Sequence, residues 1–216
     1  MEFFSLPERA KVNRVVPKNA FDAYATAKQK KLFTSLIARI TWLYKLSPET
    51  VNLEGKDVQE IQSFRVELKQ KDDPQAILNV IEKAIPYHLI FIVVHEGQSF
   101  FSASAKHLHP LNADNAVIDW TFKTEWKTSH ADIYSLDLRK NLDSIFNNFC
   151  LQLAGKQEKQ GKELADLVQY EARKAALEKE VERLKIAVKN CKQFKIKVEL
   201  NLALKVAQDD LSKLKF

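Results

Sequence analysis

The stretch Phe64-Arg65-Val66-Glu67-Leu68-Lys69 alternates strictly, with Phe64, Val66 and Leu68 on one side and Arg65, Glu67 and Lys69 on the other. Successive side chains of a strand point to opposite faces, so a period of two specifies a half-buried strand. Asp73 and Pro74 then form an N-cap and first-turn pair, and Ile77, Leu78, Ile81 and Ile85 give the following helix a buried stripe that Pro86 ends. Next comes "YHLIFIVVH", a continuous apolar run of strand length, and Glu96-Gly97 turns it into "QSFFSASAK" as a hairpin. After a polar loop with Pro110 and Asn112, "AVIDWTFKTEWK" reads as another strand through Ile118, Trp120 and Phe122. The segment "LDLRKNLDSIFNNFCLQLAG" reads as a helix closed by Gly155, with Leu138, Leu142, Ile145, Phe149 and Leu153 on its core side.

Upstream, Thr26 stands three residues before Gln29 in capping-box spacing. Leu32, Phe33, Leu36, Ile37, Ile40, Leu43 and Tyr44 follow at helical intervals, which predicts one helix ending before Pro48. The order is helix, strand, helix, strand, strand, strand, helix. It predicts an α+β domain over residues 1–155, with a mixed or antiparallel sheet of about four strands covered by helices.

From Lys156 the composition changes to Glu, Lys, Ala and Leu with no Pro and one Gly. Residues 156–216 read as a basic helical extension. Leu167, Tyr170, Leu177, Val181, Leu184, Val188 and Cys191 form one three-four seam, and Leu200, Leu204, Ala207, Leu211 and Leu214 form another, out of phase with the first. Either the helix breaks near "KNCKQFKIK" and folds back as a hairpin, or it passes through a stammer as a coiled-coil rod of roughly 80 Å. The phase shift favours the hairpin.

A chain of 216 residues buries a substantial core, and no apolar run approaches the roughly 18 residues that cross a bilayer. The first six residues lack the basic cluster and long apolar region of a secretory signal. Cys150 and Cys191 are far apart with no disulfide framework, so a reducing cytoplasm is the expected location, with no membrane. The net charge is +6, distributed as +5 over residues 1–50, −4 over residues 51–155 and +5 over residues 156–216. Basic ends flanking an acidic middle suggest an anionic partner, although a solvated lysine-rich surface reads the same way.

Glu67-Leu68-Lys69 has the acid-x-lysine spacing of Mg²⁺-dependent nucleases, with Asp57 upstream as a second carboxylate. The same alternation is an ordinary solvated strand face held by cross-strand ion pairs, and no cofactor is otherwise implied. His107 and His109, with Asp114 or His130, have spacing too loose for a metal set and read as loop histidines. His95 reads as a strand-end residue with a hydrogen bond. The four glycines form no phosphate-cradling loop, and Ser102 and Ser104 lack a nucleophile-elbow context. The basic ends are the better binding candidates: Arg14 and Lys18 near the N-terminus, and Lys185, Lys189, Lys192, Lys195 and Lys197 in an acid-free run.

"VNRVVPKNAF", "KQKKLFTSLIARITWLYKLSPETVNL", "KDVQEIQSFRVELKQK", "IEKAIPYHLIF" and "KQFKIKVELN" together resemble the bacterial domain-of-unknown-function family 4391 over nearly the whole chain. The resemblance implies an accessory role beside helicases and DNA methyltransferases of restriction-like or phage-defence loci, by association rather than mechanism. It draws attention to Asn13, Pro17, Lys18, Lys69, Pro86, Gln193, Phe194, Val198, Glu199 and Asn201, and it weakens the nuclease reading because the pattern holds Lys69 but not reliably an acid at Glu67. The expected function is therefore a non-enzymatic accessory subunit that binds a protein partner, nucleic acid or both. The alternatives are a Mg²⁺-dependent nuclease using Asp57, Glu67 and Lys69, and a structural coiled-coil homodimer.

Overall fold

The computed structural model describes residues 3–109, 112–128, 134–159 and 161–216, apart from the side chains at 108–109 and 112–115. Six strands, β1 (Lys11–Val16), β2 (Ile37–Leu46), β3 (Ile61–Leu68), β4 (His88–His95), β5 (Gln98–His109) and β6 (Asn112–Lys123), form one mixed sheet in sequence order. All neighbours are antiparallel except β3 and β4. Parallel neighbours need a crossover, supplied here by α3 (Gln75–Ala84). The remaining helices are α1 (Ala27–Leu36), α2 (Pro48–Val51), α4 (Leu142–Leu153), α5 (Leu164–Asn190) and α6 (Phe194–Lys213). The chain divides into two compact units, Met1–Gly161 and Lys162–Phe216.

The α+β class and the mixed sheet match the expectation, but the described residues hold six strands rather than about four. Both additions lie upstream of β3. β1 is an edge strand with mostly exposed side chains, so no apolar alternation marks it. Asn13 adopts φ 49° there, at a bulge between Lys11 and Arg14. The expected helix from Thr26 to Leu46 is real only as far as Leu36. Its capping box forms between Thr26 and Gln29, but Ile37–Leu46 is β2. Two irregularities, between Ile37 and Arg39 and between Trp42 and Tyr44, break the two-residue period of this strand. Ile37, Ile40 and Trp42 pair with Leu68, Val66 and Phe64, whereas Tyr44 and Leu46 pair with Ser63 and Ile61 on the opposite face. Bulges plus burial on both faces therefore produce the three- and four-residue spacing that imitates a helix.

The two faces of the sheet hold two apolar layers. On one, Phe64, Val66, Leu68, Leu89, Phe91, Val93 and Phe100 pack against Phe33 and Leu36 of α1 and Ile77, Leu78 and Ile81 of α3. On the other, Phe101 meets Phe149 of α4 at 6.0 Å, and Phe4 reaches both rings and Tyr44. Coverage on both sides is why β4 reads as an unbroken apolar run. Glu96 (φ 43°) and Gly97 (φ 75°) make the tight turn into β5. α4 begins at Leu142, later than the sequence pattern suggests, because Asn141 caps it through the Ser144 amide.

Residues 162–216 form a helical hairpin broken at Cys191–Gln193. Val181 and Leu184 of α5 pack against Leu200, Leu204 and Ala207 of α6, and Tyr170 meets Phe216 at 5.2 Å, so the helices run antiparallel. Among the described residues no helix is long and apolar enough to cross a membrane.

Candidate functional site

Lys69 is the residue on which the acid-x-lysine reading turns. Its backbone N–H donates to Leu36 O at 2.8 Å, and its Nζ donates to Thr34 O at 2.7 Å. The last carbonyls of α1 lack intrahelical donors, and Lys69 satisfies two of them. Glu67 lies 3.5 Å from Arg65 Nε on its own strand. Asp57 precedes the opposite end of β3, and the six residue steps from Ile61 to Glu67 span about 20 Å of strand. The structure thus does not bring Asp57, Glu67 and Lys69 together. The backbone amides of Lys56, Asp57 and Val58 instead donate to the Asp143 carboxylate at 2.7, 2.8 and 2.9 Å. Burial raises the Asp143 pKa, but these donors outweigh it and hold the carboxyl below its usual range.

The histidines are dispersed. His95 Nδ1 lies 3.2 Å from Leu68 O, and His107 Nδ1 lies 3.0 Å from Asp119 Oδ2. The candidate ligands His109, Asp114 and His130 fall outside the described side chains. Among the described residues no three His, Cys, Asp or Glu side chains gather as a metal set. Both cysteines are free thiols, and burial, then the nearby Glu82, drives the Cys150 thiol well above its ordinary pKa.

A buried ion pair lies where the sequence analysis named no site residue. Lys106 of β5 and Glu82 of α3 form an ion pair inside the sheet–helix layer, and Lys106 Nζ also donates to Glu82 O and Ile85 O at 3.0 and 2.8 Å. Burial raises the Glu82 pKa despite Lys106, and lowers that of Lys106 despite Glu82. His88, at 4.5 Å from the Phe146 ring, is lowered to about 4 by burial and then by Lys106, with Asp143 opposing. A charged residue set against buried apolar neighbours was the available signal: Glu82 lies four residues after Leu78 on the stripe of α3, and Lys106 directly follows Ala105.

The basic candidates sit on three elements. Arg14 is exposed on β1, Lys18 begins a 3₁₀ turn over Lys18–Tyr24, and Lys185, Lys189, Lys192, Lys195 and Lys197 are exposed around the hairpin bend. Only Lys185 among the last five has an acid nearby in the described residues, Glu182 at 3.9 Å.

The outer side of α6 was not anticipated as a surface. Leu200, Leu204 and Ala207 face α5, but Phe194, Val198, Leu202 and Val206 recur every four residues on the opposite side. They are 83%, 43%, 62% and 60% exposed. At 100° per residue Lys195 and Lys205 fall on this same outer face. One helix with two opposed apolar stripes loses its amphipathic signature, which hid the outer stripe behind the seam.

The family model for a domain of unknown function matches residues 4–211. The chain belongs to the family described as Domain of unknown function (DUF4391). The match takes in residues of both units, the helical hairpin of this DUF4391 chain included. No curated protein and no solved structure matches it.

Proposed function

We propose that this DUF4391 protein is a non-enzymatic accessory subunit that holds a helical segment of a partner protein on the outer face of α6. The observation that carries this reading is the exposed stripe Phe194, Val198, Leu202 and Val206. Four large apolar side chains in a row on a helix are an interaction surface by default, because each contributes roughly 1.5–3 kcal/mol when covered. Spacing of i, i+4, i+8 suits a second helix laid along the first. The lysines on and around the stripe, Lys192, Lys195, Lys197 and Lys205, select an acidic partner and disfavour a second copy of the same face. The family resemblance supports placing that partner in a DNA-handling system.

The test is co-expression with the products of the genes that adjoin this one, followed by mass measurement of the purified complex. Leu202→Asp should abolish a complex that the unaltered chain forms, while circular dichroism stays unchanged. A complex that survives Leu202→Asp would remove this reading. Light scattering that gives a dimer sensitive to Leu202→Asp would favour the structural homodimer instead. Salt-dependent duplex DNA binding lost in Lys189→Glu/Lys192→Glu/Lys195→Glu would add nucleic acid to the same surface.

A further inference from the structure

A cavity in the sheet-bearing unit lies beside the sheet edge formed by β6. It has a volume of about 960 Å³ and is bounded by the 3₁₀ turn Lys18–Tyr24, α3 and β6. Tyr24, Gln75, Asn79, Lys83, Thr121 and Lys123 supply its polar groups, and Val117 and Ile118 an apolar wall. Among the described residues no aspartate or glutamate lines it. Lys83 and Lys123 are both exposed, and neither has an acidic partner among the described residues.

The cations stand at opposite ends of the groove. Gln75, Asn79 and Lys83 recur every fourth residue along one face of α3, and eight residues of helix cover about 12 Å. Lys123 also borders the hollow that contains Pro74 at the start of α3, so it stands by the N-terminal end while Lys83 stands at the C-terminal end. That neighbouring hollow contains Asp72, Asp73 and Glu125, which makes Lys123 the boundary of the acid-free region. The groove they share is also lined by a 43% exposed tyrosine and by two amides. The amides bond each other, Gln75 Nε2 to Asn79 Oδ1 at 2.8 Å, which leaves the Gln75 oxygen and the Asn79 NH₂ free to meet a ligand.

We propose that this groove binds a short single-stranded stretch of nucleic acid, with backbone phosphates at Lys83 and Lys123 and a base on the Tyr24 ring. Separated cations and an aromatic platform in one groove are the elements of sequence-tolerant single-strand recognition. A lone nucleotide places its phosphates at one end only and leaves the second lysine unused. An acidic peptide would use both lysines but gains little from the tyrosine ring. The site is distinct from α6 and does not depend on the partner-binding reading.

The test is fluorescence anisotropy of a labelled ten-residue oligodeoxythymidylate at about 50 mM salt. All proteins are full-length and carry Lys189→Glu/Lys192→Glu/Lys195→Glu, which removes the cationic hairpin bend from the signal. Binding is expected. Tyr24→Leu should weaken it by about 5- to 100-fold while Tyr24→Phe retains it, as loss of one stacked base predicts. Lys83→Gln/Lys123→Gln should weaken it at least about tenfold and reduce the salt slope by about 1.4, at 0.7 per single-strand phosphate. The proposal is overturned if the oligonucleotide does not bind, or if these variants bind as the parent does. It is equally overturned if polyglutamate competes as well as unlabelled oligonucleotide, or if ATP alone displaces the probe completely at equal concentration. Far-UV circular dichroism on each variant separates loss of binding from loss of fold.

Discussion

Lys106 Nζ lies 2.7 Å from Glu82 Oε2, and both side chains are 1% exposed. An acid on α3 and a base on β5 are thus enclosed between the sheet and its helix. Each is expensive to bury alone, and their attraction repays the cost only while both are present. The Lys106 ammonium also satisfies two carbonyls at the end of α3, Glu82 O and Ile85 O, so it closes that helix as well.

Removing one member should therefore be far worse than removing both. Lys106→Met or Glu82→Leu alone should cost about 3–5 kcal/mol, and the double substitution should cost markedly less than their sum. Urea unfolding of the four proteins in a double-mutant cycle measures the difference. Additive losses would mean that the pair is not coupled.

Acid should destabilise the protein through His88. Its folded pKa is about 4 against an ordinary 6.5, because burial and then Lys106 disfavour the imidazolium. Between these values the unfolded chain binds a proton that the folded chain refuses, so stability falls as the pH falls from 6.5 to 4. The loss approaches about 3 kcal/mol and levels off below pH 4. Thermal or urea unfolding across this window should show the slope in the parent and a flatter profile in His88→Leu. An identical slope in both would assign the effect elsewhere.

The Asp143 carboxylate accepts from three consecutive amides and ties the segment before β3 to the first turn of α4. Asp143→Ala should cost about 1–3 kcal/mol, since water replaces part of what is lost at the exposed amides. Its folded pKa is held below the ordinary 3.8, so this contribution is present above pH 3.8 and fades below it. Hydrogen exchange at Lys56, Asp57 and Val58 provides the local readout, and unchanged protection in the variant would contradict the role. Gly55 belongs to the same device: a Cβ there would lie 2.1 Å from Val58 O, so Gly55→Ala should displace the segment.

Lys69 should behave as a helix-closing residue. Lys69→Met is expected to cost about 0.5–1 kcal/mol by losing the bond to Thr34 O, and Lys69→Arg is expected to recover most of it. Denaturant midpoints at constant slope check this. A stability unchanged in Lys69→Met would reopen the question of what holds this lysine in the strand's polar row.

Much of the fold was legible because local patterns and tertiary demands coincided. β3 alternates because Phe64, Val66 and Leu68 enter one apolar layer, and α1 starts directly after Thr26 because its capping box is complete within four residues. The break between α5 and α6 was legible as a phase shift between two seams. β2 was not, because bulges and burial on both faces gave a strand the spacing of a helix. Of the candidate site, the exposed lysines of the hairpin bend could be read from charge alone. The outer apolar stripe of α6 could not, because the seam on its other side cancels the periodicity.

The sequence by itself determined the α+β class, the basic ends, the hairpin strands β4 and β5 and the existence of a helical C-terminal unit. These follow from residue type and spacing over one or two turns or strands. Only the tertiary structure decided what Lys69, Glu82 and Lys106 do, since each acts on groups more than twenty residues away. A charged side chain shows its charge in the sequence. Whether that charge closes a helix, fills half of a buried pair or lines a groove depends on what the fold brings within about 3 Å of it.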